Sequence, residues 1–432
     1  MADVTGGATR PRRMTVWSVA ALGVGSMVGA GIFALLGQAA LIAGSDVYLS
    51  FIIGGGVALL SGYSYARLAA RYPTSGGIMD YYGKAFPSRV LGGGLSVLYL
   101  VTQVVTIVMV AKTFGTYGSR LVLGNDAPAL YANLFASAIV IVSVWINMVG
   151  SHAVGRAEEA LVAAKLAILV VLMLAGLQGL EPAMLTRSPT VGPRTLLASV
   201  GLTFFAYAGY GMMTNAAGHV VDPERTIPRA IYLAIGVVIV LYVALAVVVL
   251  GNMTPGQLAT YADTAVAQAA RPILGDAGFV IVSIGALFAT ASAINAAIFS
   301  SLEISRALAH RDQLPAVFRR AAWGQGTHGL VWSAAAILVM VNLFDLDRVA
   351  HIAGAAFLIC YLAVFVAHWR LHAEAGGSRL LIAAGFALMA IVFIALAAHL
   401  WHERPTTLLL LAAIVAGSVA VEGYVLWRGP QP

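Results

Sequence analysis

Apolar residues in this chain fall in long blocks parted by short polar stretches. The blocks have the length of bilayer crossings, which take about 20 apolar residues each. Hydropathy divides the chain into twelve spans, at about 16–42, 47–69, 92–120, 129–149, 156–179, 196–220, 229–252, 278–308, 328–344, 348–370, 380–399 and 406–427. The pattern predicts an all-α integral membrane protein with twelve transmembrane helices.

Two of the spans are irregular. Span one holds Gly23, Gly25, Gly29 and Gly31 in the run from Gly23 to Phe33. Glycines weaken a helix, and unwound backbone at membrane depth survives only where it is buried in protein or lines a cavity. The run therefore predicts one of two things. It is a broken helix whose freed N–H and C=O groups hold a small zwitterion, or a small-residue face that lets a neighbour approach closely. Span six crowds aromatics around Gly209 and Gly211, from Thr203 to Met212, and then steps to the polar pair Thr214-Asn215.

Spans one and six begin about 180 residues apart, and each heads a run of five. Interrupted helices in corresponding positions of two halves point to an inverted repeat with a site between them. The expected organisation is a cytoplasmic tail over 1–15, a first repeat over 16–180, a second over 181–370, and two extra C-terminal helices with the tail over 371–432. Spans eleven and twelve are rich in Leu, Ala and Val, which suits scaffold or subunit contact. Pro73 and Gly76-Gly77 stop span two, and Tyr81, Tyr82 and Phe86 suit an interfacial aromatic belt. The outer stretch from Pro255 to Pro272 has room for a short amphipathic helix, either a cover over the external vestibule or a plain surface helix.

Composition excludes a soluble protein. Of 432 residues, 60% are apolar and 10% charged, with a mean hydropathy of +0.89, whereas soluble domains are about 25% charged. The net charge of +7 does not indicate nucleic-acid binding, because the cations sort to one side. With the N-terminus inside, 17 Lys and Arg fall on cytoplasmic loops and span ends and 6 on outer ones. That asymmetry places both termini in the cytoplasm of a multi-pass cell (inner or plasma) membrane protein. The single cysteine, Cys360, lies in an apolar stretch, and no metal-ligand spacing or cofactor motif is present.

Lys165 is the charge that matters. Nine residues beyond Arg156, it lies about 13 Å along span five, too deep for easy snorkelling. A lysine at mid-helix costs about 2.5–3.5 kcal/mol, so an intramembrane ionisable group is a functional candidate by default. The alternative is a structural lysine that pairs with carbonyls and never titrates. Of the other polar groups, Lys112 is expected toward the outer end of span three. Glu303 and Arg306 are expected to pair on one helix face. Gln103, Asn147 and Asn295 suit helix–helix hydrogen bonds. His219, at the end of span six, has no partner at metal-ligand spacing.

Four motifs resemble the amino acid–polyamine–organocation superfamily, which has the leucine-transporter fold. They are Gly25 to Phe33 in span one, Tyr72-Pro73 to Gly76-Gly77 with Tyr81 and Tyr82, Asp222-Pro223-Glu224-Arg225-Thr226-Ile227-Pro228 after span six, and Ser305 to Pro315 at the end of span eight. The resemblance covers most of the first ten spans. It implies that the fold is a 5+5 inverted repeat with helices one and six broken. It also implies a binding mode. The substrate carboxylate would sit on N–H groups of Gly29, Ala30 and Gly31, with Ser26 nearby. The ammonium would meet carbonyls of Met27, Phe205 and Ala208, beside Gly209. Phe205, Tyr207 and Tyr210 would wall or gate the side-chain pocket. A helix terminus at the break would favour these charges. Several members have a lysine at the place of Lys165, close to the break, where relatives hold sodium. Lys165 then carries the coupling proton, with Ser292 or Thr290 as its hydroxyl partner. One departure bears on cargo: relatives often carry an acid where this chain has Gly211, so a cationic side chain would lack a buried counter-charge.

The expected function is secondary active transport, with proton-coupled uptake of small to medium neutral amino acids by alternating access. The partners are an amino acid, a proton and the bilayer. An exchanger or exporter of an amino acid or amine is the alternative within transport. Outside it stand a non-transporting nutrient receptor and a membrane-embedded enzyme, for which His310-Arg311-Asp312 is the only local candidate.

Overall fold

The computed structural model describes residues 14–74, 76–149, 155–178, 180, 183, 185, 191–220, 222–318, 320–322 and 327–428, with the backbone alone at 30, 155–160, 218, 219 and 316. The expected N-terminal tail, apart from Met14 and Thr15, lies outside these residues, as do Arg187 and Arg319; the side chain of His219 is also outside the description.

Among the described residues, twelve long helices follow the hydropathy blocks. They are α1 (Val16–Ala43), α2 (Val47–Arg71), α3 (Arg89–Leu123), α4 (Ala129–Val149), α5 (Gly155–Gln178), α6 (Pro193–Tyr207), α7 (Pro223–Asn252), α8 (Arg271–His310), α9 (His328–Leu343), α10 (Leu346–Arg370), α11 (Arg379–Glu403) and α12 (Pro405–Arg428). Among the described residues, ten stretches are long and apolar enough to cross a membrane, and His328–Leu343 is a shorter apolar helix. No strand occurs among the described residues. The protein is an all-helical, multi-pass membrane protein.

Local chemistry sets the helix starts. Thr15 caps α1 by accepting from Ser18 N–H, and Ser88 caps α3 by accepting from Leu91 N–H. The Asp222-Pro223 motif is a helix start: Asp222 accepts from Arg225 N–H, and Pro223 stands where no helical N–H partner is needed. Gly275 has φ 66°, inside the assigned range of α8. The chain bends there, so the straight part of α8 begins close to the expected boundary at 278.

The two irregular spans behave differently. α6 ends at Tyr207 and tightens into a 3-10 helix over Ala208–His219, so the interruption at Gly209 is present. The expected break in span one is not: α1 is helical from Val16 to Ala43. The reason is packing. A Cβ at Gly31 would lie 2.7 Å from the carbonyl oxygen of Ala206 in α6, and one at Gly29 would lie 3.0 Å from Ala293 Cβ in α8. The glycines let two helices seat against α1 without unwinding it.

α1 and α6 pack on each other, α1 on α7, and α2 on both α6 and α7; α3 packs on α8, α10 and α12, and α5 on α8 and α7. Short helices Pro255–Tyr261 and Ala265–Ala269, joined by the 3-10 turn Ala262–Thr264, lie against the C-terminal half of α1. They fall in the stretch 255–272, where the sequence predicts a short helix, and they cover this end of α1. Gln38 Nε2 donates to Asp263 Oδ1 at 2.6 Å, and Arg120 Nη1 donates to Thr264 Oγ1 at 2.5 Å.

Candidate functional site

A cavity of about 700 Å³ runs beside α1, from Met14 and Ser18 at the N-terminal end of the helix to Gly31 in its middle. α3, α5, α6, α8 and α10 complete its wall. Of the residues expected at the site, Ser26, Met27, Gly31, Phe205, Ala208, Gly209 and Ser292 line it. Gly29 is turned instead toward α8 and Lys165. Ala30 lies in the helical run of α1, and its side chain is outside the description. Gln103, expected as a helix–helix bond, lines the cavity along with Tyr99 and Thr106 of α3 and Phe357 of α10. Nothing in the local pattern of α3 marks those three positions. Their roles come from where α3 lies against α8 and α10. Among the described residues, none that lines it is charged.

The close approach of α1 and α6 is backbone to backbone. A Cβ at Gly209 would stand 2.8 Å from Met27 N and from Ser26 Oγ. Ser26 Oγ donates to Met212 Sδ at 3.1 Å. Tyr242 of α7 donates its hydroxyl to Met27 O at 2.7 Å and lies 3.3 Å from Ala206 O, so one side chain ties α1 to α6. Tyr361 of α10 donates to Ala208 O at 2.5 Å. Phe205 O is taken by the N–H of Ala208, which closes the end of α6. A carbonyl has two lone pairs, so Met27 and Ala208 each retain acceptor capacity. The ring of Phe205 meets that of Phe357 with centroids 4.9 Å apart. At Gly211 a Cβ would lie 2.8 Å from the Tyr361 hydroxyl and 3.5 Å from the Tyr65 ring. That space is taken by tyrosines.

Lys165 is buried, 2% exposed. Its Nζ donates to Gly25 O at 2.8 Å, and it lies 3.8 Å from where a Gly29 Cβ would be. The lysine of α5 therefore does reach the glycine run of α1. Thr290 donates to Ala286 O, inside its own helix. The lesser expectations fare unevenly. Asn147 donates to Asn295 across α4 and α8 at 2.8 Å, and Arg306 pairs with Glu303 at 2.8 Å. Lys112 binds Asn133 Oδ1 at 2.6 Å and Val341 O at 3.2 Å. Among the described residues no cluster of three or more His, Cys, Asp or Glu could hold a metal. In the cover, burial pushes the Asp263 carboxyl above its ordinary range, against the opposing pull of Arg120 and the Gln38 donor.

The family described as "Amino acid permease" matches residues 14–421. An Escherichia coli (strain K12) protein named "Inner membrane transport protein YbaT" is 43% identical over 407 residues, 93% of this chain and 95% of its own. Two Bacillus subtilis (strain 168) proteins are more distant. One named "Methylthioribose transporter" is 26% identical, covering 82% of this chain and 81% of its own, and one named "Serine/threonine exchanger SteT" is 23% identical, covering 82% of each. These relatives are transporters, and the reading as a membrane-embedded enzyme falls with them.

Proposed function

We propose that this chain, which belongs to the amino acid permease family, takes up small to medium neutral amino acids by alternating access, driven by an inward proton gradient. The observation that carries the reading is the cavity. It lies between α1, α3, α5, α6, α8 and α10, is lined by aliphatic and aromatic side chains with a few hydroxyls and the Gln103 amide, and among the described residues has no charged one in its wall. A zwitterion balances its own charges there, whereas a cationic side chain would find no counter-charge. Ser26, Met27, Gly31, Phe205, Ala208 and Gly209 would contact the substrate. In this conformation the N–H groups of Gly29, Ala30 and Gly31 lie within the helical run of α1. Their role as carboxylate donors requires a state in which α1 opens at this point.

Lys165 is the proposed proton carrier, with Ser292, which lines the cavity, as its proposed hydroxyl partner. Its ammonium already holds Gly25 of α1, so loss of the proton would release α1 at the step where that helix must move. The 5+5 inverted repeat (16–180 and 181–370) is supported by paired contacts: α1 on α7 is matched by α6 on α2, and α5 on α8 by α10 on α3. With both termini cytoplasmic, the cavity reaches the inner side and the cover closes the outer one.

The test is uptake of a panel of radiolabelled amino acids into proteoliposomes, with and without an inward proton gradient and with sodium replaced by potassium. Alanine, serine or branched-chain amino acids should accumulate, and arginine and putrescine should compete poorly. Sodium should be without effect, and Lys165→Ala should lose proton-driven accumulation. Binding without flux would make the protein a receptor. Flux only into preloaded vesicles would make it an exchanger, the reading favoured by the name of the serine/threonine relative.

A further inference from the structure

α12 presents most of its surface outward but buries one stripe, Thr407, Leu411, Ser418, Glu422 and Val425, against the bundle. Glu422 in that stripe is 0% exposed. Neither of its carboxyl oxygens has a hydrogen-bond partner among the described residues. The carboxyl points into α3 at Gly93, where a Cβ would come within 2.6 Å of Oε1 and 2.7 Å of Oε2. Gly94 lies next to Val419 in the same way, with a Cβ 3.2 Å from Val419 Cα. Gly93 thus makes the room that the carboxyl occupies, and Gly94 lets the backbone of α12 approach at Val419.

The charged groups nearby do not neutralise it. Arg89, the first residue of α3, acts on Glu422 through space, but its guanidinium donates to Arg311 O. Arg370 at the end of α10 donates to Ala85 O and lies over Phe86. His368 of α10 is bonded to Ser64 and Gly376. Arg379 at the start of α11 lies over Trp369, and Arg428 of α12 itself over Tyr424. An ionised carboxylate buried without a partner is strongly disfavoured, and such groups neutralise instead. The site as built admits the neutral acid. It also lies close to an aqueous boundary, since six residues separate it from Arg428, about 9 Å along the helix.

We propose that Glu422 is a proton-binding site separate from Lys165, and that its ionisation unseats the end of α12 from α3. With the proton on, the carboxyl fits the Gly93 cradle. With it off, the charge must leave the interface toward water and Arg89. The seating of α12 then depends on pH whatever the cargo is, so the inference stands or falls apart from the proposed substrate.

Two measurements on the full-length reconstituted protein test it. A hydrophobic carbodiimide attacks protonated carboxyls in apolar surroundings, and peptide mass spectrometry reads the adduct at Glu422. Labelling should be present at acid pH and lost at alkaline pH. Labelling that is constant with pH, or absent throughout, would overturn the proton site. The second measurement reads the interface. A Gly94 Cβ would stand 3.7 Å from Val419 Cβ, within the range of a disulfide, so Gly94→Cys with Val419→Cys is a cross-linking pair for α3 and α12. Its oxidation should slow at alkaline pH relative to the same pair carrying Glu422→Gln, which cancels the thiols' own pH dependence. Equal rates at every pH would overturn the unseating. If Glu422→Gln does not fold, the carbodiimide series on the native sequence still decides whether the site exists.

Discussion

A methyl group at Gly31 would sit 2.7 Å from the Ala206 carbonyl oxygen and 2.8 Å from Ala206 Cα, and neither atom can turn aside. At Gly56 of α2 the same methyl meets nothing within 4 Å. The two substitutions therefore separate packing from helix propensity. Gly31→Ala is expected to cost about 1–3 kcal/mol as overpacking and to lower both the Tm of the purified protein and its uptake. Gly56→Ala should leave both unchanged or raise the Tm, because alanine is the better helix former by about 1 kcal/mol. Equal Tm shifts would mean that α1 and α6 do not meet as described. The residue scale also marks where the sequence is ambiguous. The glycine run of span one is compatible with a break or with close packing, and the choice depends on which atoms stand opposite, Ala206 and Ala293, which lie far away in the chain. Lys165 was legible because a lone ammonium in an apolar run needs a partner, but its partner, Gly25 O, comes from the fold. Gln103 shows the opposite failure. Its amide looks like any helix–helix donor in sequence, and only the position of α3 turns it to the cavity.

Elements with their own capping and breaking signals were the most readable. The Asp222-Pro223 start of α7, the stop after α2 and the outer cover all stand where Pro, Gly and Asp place them. The 3-10 continuation of α6 was readable as an interruption but not as a tight helix. The role of α12 was not readable, since one glutamate in an apolar span does not say which way it faces. The cover allows a prediction at this scale. Asp263 accepts from Gln38 Nε2, yet burial raises its carboxyl above the ordinary range. A carboxyl raised on folding stabilises the fold at low pH, below its unfolded value, and that contribution is lost as the pH rises through its folded value. At neutral pH Asp263→Asn should therefore raise the Tm, since the amide keeps an acceptor for Gln38 and sheds the buried charge. The gain should shrink as the pH is lowered. A lower Tm at neutral pH would show that the pull of Arg120 outweighs desolvation.

At the scale of the whole molecule, the cavity and the cover lie at opposite ends of α1. The cavity reaches Met14 and Ser18 at one end of α1, and at the other Gln38 and Asp263 hold the cover on the helix. Under the proposed orientation, with both termini in the cytoplasm, the end of the cavity at Met14 and Ser18 would face the cytoplasm. The proposed alternating access would need an end state of this kind, with a central site, one aqueous route to it, and the other route closed by elements that pack on the same helix. It can be checked without knowing the cargo. Ala21 lines the cavity on α1 and is exposed, and Thr260 is exposed on the cover. The native thiol, Cys360, is buried and gives little background. A membrane-impermeant maleimide should label Ala21→Cys in inside-out vesicles and not in intact cells, while Thr260→Cys should behave in the reverse way. A saturating substrate should slow the labelling of Ala21→Cys, because both would occupy the same cavity. Labelling of Ala21→Cys from the outside alone would invert the orientation. Labelling from both sides with equal speed would mean that the cover does not close the path, and the protein would then be a channel in this state rather than a carrier.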